Sequence, residues 1–163
     1  MSAKFSIMAA RLSVIAAVYA ALTIALGPLA YGEIQVRISD AMLILPFLAG
    51  FGWDAVVGLT IGGFLANLAS PFGYIDWVFG PIANFLAALG VYASKKIFGE
   101  NIVGLVIGEI LAIIAITLVI GYGELYLVFG IPWMVIIYVL IGEVISIGIG
   151  GTIIYGAFKR LRG

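Results

Sequence analysis

The stretch YGEIQVRISDAMLILPF, residues 31–47, decides how the rest of the chain is read. Its first part, EIQVRIS, alternates polar and apolar side chains with period two. Glu33, Gln35, Arg37 and Ser39 fall on one side, and Ile34, Val36 and Ile38 on the other. That is the pattern of a half-buried extended segment, not of a helix. Long apolar runs stand on either side of it. A short charged ribbon in that position reads as a connection between two membrane spans.

Composition supports this. Of 163 residues, 64% are hydrophobic and 10% charged, where soluble domains carry roughly 25% charge. The chain reads as one domain, residues 1–163, of an all-α integral membrane protein. The apolar runs are unbroken rather than alternating, which disfavours a β-barrel. Lys plus Arg balances Asp plus Glu at eight each, so no basic face for nucleic acid stands out. Cys and His are both absent. That removes disulfides, thiolate chemistry and the commonest metal ligand and general base. No cofactor or metal is expected. The apolar run after Met1 is read as a retained first span rather than a signal peptide.

A span needs about 20 residues. The sequence predicts spans over Ile7–Leu29, Asp40–Phe51 (short), Ala55–Ser70, Ile75–Ala93, Ile102–Tyr122 and Pro132–Phe158. The expected fold is a six-helix transmembrane bundle with a short second helix. Lys4, Arg11, Lys95, Lys96, Lys159, Arg160 and Arg162 then share one side, leaving only Arg37 on the other. By the positive-inside rule both termini are cytoplasmic. The outer loops are expected to carry Glu33, Arg37, Asp40, Asp76 and Glu124.

Two acidic residues fall inside spans. Glu143 lies about 11 residues from the outer end of the sixth span, roughly 16 Å deep, and Glu109 is placed at a similar depth from the other side. Carboxylates at such depth are costly and mark cavities, partners or proton paths. Their bland reading is a protonated contact between helices. On the third span Thr60, Gly63, Asn67 and Ser70 share one face, and on the fourth Asp76, Gly80 and Asn84 do. Asn67 and Asp76 are candidate ligand contacts, and the glycines are more simply close-packing positions. Tyr74, Trp77 and Trp133 read first as interfacial anchors and second as stacking walls. On the first span Ala9, Ser13, Ala17, Ala21 and Ala25 recur every four residues, with Ala16 and Ala20 beside them. Such a small-residue stripe packs within the protein or docks another membrane protein.

No phosphate-binding GxxxxGK[ST] loop and no HExxH or GxSxG motif occurs. An enzyme is not expected. The ribbon Glu33–Ser39 is read as a lid over an outward-facing pocket, its polar row toward the entry path and its isoleucines and valine on the bundle. Arg37 and Asp40 are placed to latch it or to touch ligand.

The motifs YGEIQVRISDAMLILPF, GGFLANLASPFGYIDWVFG and IGEVISIGIGG resemble the QueT family of small membrane proteins, substrate-binding S components of energy-coupling factor transporters. The resemblance covers most of the chain. It implies a six-helix bundle with a site open to the outside and a queuosine precursor as substrate, most simply 7-aminomethyl-7-deazaguanine. It also implies a transmembrane coupling protein and two cytoplasmic ATPases as partners. Ala16, Ala17, Ala20 and Ala21 match the first-helix alanines that dock the coupling protein in S components. A deazaguanine offers an N–H and an amino group to a carboxylate, a carbonyl to a donor such as Asn67, Gln35 or Arg37, an ammonium to a second carboxylate, and a flat ring to an aromatic wall such as Trp77. Glu143 is expected in one carboxylate role, and Asp76, Asp40 and Glu109 compete for the other. Asn84 completes the candidate set. The alternatives are a proton-coupled secondary carrier running on Glu109 and Glu143, and a non-transport scaffold.

Overall fold

The computed structural model describes residues 3–31 and 36–163. All regular structure among them is helical. The first helix runs Ala3–Ala25, the second Ile38–Phe47, the third Trp53–Asn67 and the fourth Asp76–Phe98. The fifth spans Ile102–Val128 and the sixth Met134–Arg162, each passing through a stretch of wider π-type turns. The first, fourth, fifth and sixth are long and apolar enough to cross a membrane.

The second helix is short, and its geometry compensates. It is wound as a 3-10 helix throughout, which rises about 2.0 Å per residue instead of 1.5 Å. Ten residues therefore reach about 20 Å. It starts at Ile38, two residues before the predicted Asp40, and stops where Leu48 turns extended. Seven of its ten residues are buried, and it packs against all five other helices. The others follow around it in the order first, third, fourth, fifth, sixth, each packed on the next.

The bundle is apolar outside, and a set of polar groups lies buried within its largely aliphatic core. Val14, Val18, Phe64, Ile82, Val106, Ile114 and Ile145 face outward, while Asp40, Asn67, Asp76, Asn84, Glu124 and Glu143 are each at most 2% exposed. This suits a chain whose surroundings are lipid, where buried polar groups find partners only inside.

Except for Arg37, the basic residues gather at the end of the bundle where the first helix starts and the sixth finishes. Arg11 donates to the Gly50 carbonyl at 2.7 Å and sits 3.7 Å from Asp54. Lys95 donates to the Leu48 carbonyl at 2.8 Å and pairs with Glu100 at 3.3 Å, as Arg162 does at 3.7 Å.

The ribbon reading is partly overturned. Glu33, Ile34 and Gln35 lie outside the described residues. Beyond them only Val36 and Arg37 precede the helix, with Arg37 extended. The expected facing is reversed there. Arg37 and Ser39 are buried and Ile38 is half exposed. In lipid the apolar side chain belongs outside and the polar one inside, so Arg37 and Ser39 turn into the bundle.

The loop assignment of the acidic residues is also corrected. Asp40 lies in the second helix, Asp76 begins the fourth, and Glu124 is carried inside because the fifth helix continues past Tyr122 to Val128. All three are buried.

Candidate functional site

Two asparagine–glycine contacts lock the third helix to the fourth and set the floor of the site. The Asn84 amide lies over Gly63, whose Cβ would stand 2.6 Å from Asn84 Nδ2. Reciprocally, a Cβ on Gly80 would collide with Asn67 Nδ2. Each amide nitrogen donates to backbone across the interface: Asn84 to the Leu59 carbonyl and Asn67 to the Asp76 carbonyl, both at 3.0 Å. The glycines thus serve close packing, as their spacing allowed. The amides are fixed in orientation, with their carbonyls aimed inward.

The Tyr19 hydroxyl donates its single proton to the Asp40 carboxylate, with the Asn84 carbonyl 3.3 Å away as a weaker shared acceptor. Tyr19 has no exposed surface. The first helix is held there by Thr23, whose hydroxyl donates to the Tyr19 carbonyl at 2.9 Å and meets Ser39 at 2.7 Å. Sequence reasoning misses this hydroxyl series. Its signal is the i, i+4 pair Tyr19 and Thr23 on an otherwise apolar helix.

Around this centre lies a small cavity of about 10 Å³, room for a single water, lined by Arg37, Asp40, Ala83, Asn84, Ile116, Ile120 and Glu143. Four of the expected site residues, Arg37, Asp40, Asn84 and Glu143, therefore share one space. Glu143 lies within hydrogen-bond reach of the Asp40 carboxyl on its wall, and Glu143 Oε2 has no other partner.

Arg37 is the buried cation of this region. Its Nε donates to the Ala30 carbonyl at 3.2 Å, and its guanidinium lies 5.3 Å from the Tyr31 ring centre. The carboxylates of Asp40 and Asp76 act on its charge, and a guanidinium does not give up its proton in a protein. Tyr31 in turn donates to the Ala66 carbonyl at 2.7 Å. This pins the connection between the first and second helices onto the third.

Beside the cavity, Arg37 Nη2 stands 3.9 Å from Asp76 Oδ2. Glu124 lies within hydrogen-bond reach of the Asp76 carboxyl, and no other group bonds its buried oxygens. Asn67 Oδ1 is likewise unpartnered. Glu124 is not among the expected site residues, because a fifth span of ordinary length ends before it.

Other expectations lie elsewhere. Glu109 does not meet Glu143. It accepts from Thr152 at 3.0 Å beside Gly151, about two helical turns from Ile116 on the cavity wall. Trp77, Trp133 and Tyr74 are 40%, 59% and 73% exposed. None lines the cavity, and their places suit anchors at a membrane surface. The four alanines divide. Ala16 and Ala20 are buried, with the Ala16 carbonyl 3.1 Å from where a Cβ on Gly62 would stand. Ala17 and Ala21 face outward. Within this chain Ala16 and Ala20 thus face the bundle, with Ala16 against the third helix, and Ala17 and Ala21 are the two left on its outer face.

A family model described as QueT transporter matches residues 9–160. No curated protein and no solved structure matches the chain. The match covers nearly the whole length, and the chain belongs to the QueT transporter family.

Proposed function

From membership of a transport family, we propose that this chain is the membrane-embedded S component of an energy-coupling factor importer. It binds a queuosine precursor of the 7-aminomethyl-7-deazaguanine type from outside. A transmembrane coupling protein and two cytoplasmic ATPases complete the transporter.

The observation that carries this reading is the enclosure of Arg37, Asp40, Asn84 and Glu143 around one cavity within an apolar bundle. A deazaguanine edge presents adjacent N–H and amino donors, which a buried carboxylate accepts in pairs. Asp40 and Glu143 supply carboxylates there, and Arg37 supplies a donor for the ring carbonyl. Ile116 and Ile120 supply apolar wall for the ring faces. A bicyclic ligand entering so narrow a space pushes the Arg37 side chain aside. That movement fits a gate better than the hinged lid expected from the ribbon.

By the positive-inside rule, the gathering of basic residues at one end supports a reading in which that end is cytoplasmic and the Arg37 end faces outside. Ala17 and Ala21, outward on the least buried long helix, are the docking surface for the coupling protein in this reading.

A proton-coupled carrier is the rival reading, and the distance between Glu109 and the cavity weakens its two-glutamate relay. Uptake of the labelled base by cells making the whole transporter separates them. Uptake that stops on ATP depletion but survives a protonophore supports the importer. Uptake that survives ATP depletion and stops with the protonophore refutes it.

A further inference from the structure

Two carboxyl groups meet on the cavity wall where the second helix packs on the sixth. Asp40 and Glu143 lie there within hydrogen-bond reach of each other, and both are at most 2% exposed. An ionised carboxylate has no donor, so a bond between the two requires one proton. The surroundings decide which of them keeps it. Asp40 accepts from the Tyr19 hydroxyl, and Tyr19 has no exposed surface. Arg37, three residues earlier, lines the same cavity and acts on Asp40 as a cation. A donor and a cation both favour the charged form of a carboxyl. Glu143 receives no such donor, and its Oε2 has no partner beyond Asp40. Among the described residues the rest of the lining is uncharged: Ala83, Asn84, Ile116 and Ile120. The other acidic groups near Arg37, Asp76 and Glu124, form a pair of their own outside the cavity. The sixth helix passes from α to π winding directly after Glu143, a change of turn frequent at functional positions.

We propose that the empty site holds one proton on Glu143, hydrogen-bonded to an ionised Asp40, and that a ligand bringing paired N–H donors to Glu143 displaces it. Tyr19 is the positioning residue that keeps the negative charge on Asp40. A carboxylic acid commits one oxygen to its O–H and cannot accept two N–H bonds as a carboxylate does. On binding, the Glu143 O–H bond breaks, its proton passes to solvent, and the N–H donors take its place. The displacement rests on the base-binding reading above, whereas the resting proton does not depend on it.

The resting proton is tested on ligand-free full-length protein by infrared difference spectroscopy and thermal unfolding. Glu143→Gln removes a carboxylic-acid C=O band and keeps the melting temperature near that of wild type, because its amide N–H donates to Asp40 as the acid does. Asp40→Asn removes a carboxylate band and lowers the melting temperature by about 6 °C or more, because Arg37 and Tyr19 lose their anion. If Asp40→Asn does not purify, the Glu143→Gln spectrum decides alone: a lost carboxylate band overturns the proposal. Tyr19→Phe shifts the acid band, and an unmoved band overturns the role of Tyr19. Displacement is read by calorimetry with 7-aminomethyl-7-deazaguanine in two buffers of different ionisation enthalpy. Wild type releases about one proton per ligand bound. Binding without release, or release that persists in Glu143→Gln, overturns the displacement while the base-binding reading stands. Wild type that binds no base overturns both.

Discussion

The amide of Asn67 occupies the place where a side chain on Gly80 would stand. This one contact couples the third helix to the fourth and fixes which way the Asn67 carbonyl points.

Gly80→Ala is therefore expected to destabilise the protein and to disturb ligand binding together. The new methyl displaces Asn67 and releases its bond to the Asp76 carbonyl. Overpacking of this kind costs about 1–3 kcal/mol. Gly156→Ala, where a Cβ meets nothing within 4 Å, is the control and leaves the melting temperature in detergent unchanged. Equal melting temperatures for both variants would contradict the packing described.

Arg37 stands among buried acidic groups. Replacing it by Met removes the positive charge and leaves Asp76 uncompensated, which destabilises buried pairs by about 3–5 kcal/mol. The double variant Arg37→Met/Asp76→Asn should recover part of that loss, because the lone charge is gone too. Thermal unfolding of the three proteins reads this directly. A double variant no more stable than Arg37→Met would deny the pairing.

Tyr19 connects Asp40 to Asn84 through one hydroxyl. Tyr19→Phe keeps the ring and deletes the bond. Leaving buried partners unsatisfied costs about 1–3 kcal/mol, so binding of the base should fall by roughly tenfold or more. Trp77→Ala, on an exposed position outside the cavity, should leave affinity within about threefold. Equilibrium binding with labelled base measures both, and the reverse order of effects would move the site.

The two faces of the first helix make opposite demands. Ala16→Trp drives an indole into the third helix and should abolish folding. Ala17→Trp projects outward, so the protein should fold and bind base while losing its coupling protein in a pull-down. Association undiminished by Ala17→Trp would remove this face from the docking surface.

Much of this architecture is legible in the sequence. The six helices follow from the lengths of the apolar runs, and the shared side of the basic residues follows from their spacing. The Asn67, Gly80 and Asn84 pattern by itself marks a helix interface. What is not legible has physical causes. Period-two alternation at Arg37–Ser39 does not say which side faces lipid, and here the polar side turns inward. The 3-10 winding of Ile38–Phe47 arises from tertiary packing on all sides, which no local pattern records. Glu124 reads as a loop residue because a span of ordinary length ends near Tyr122. The helix continues instead, packed so closely that a Cβ on Gly121 would stand 3.3 Å from Ile136 of the sixth helix and one on Gly123 3.3 Å from the Phe79 ring. Glu109 and Glu143 look equivalent by depth alone, and only the packing separates them.

The most direct measurement is mass spectrometry of the small molecule that co-purifies with wild type and with the double variant Asp40→Asn/Glu143→Gln. Facing carboxyls inside an oily barrel are expected to retain a deazaguanine-type amine through purification and to lose it once both are neutralised. Recovery of lipid and detergent alone from folded wild type, or of the same molecule from both proteins, would contradict the claim that these acidic groups hold a solute.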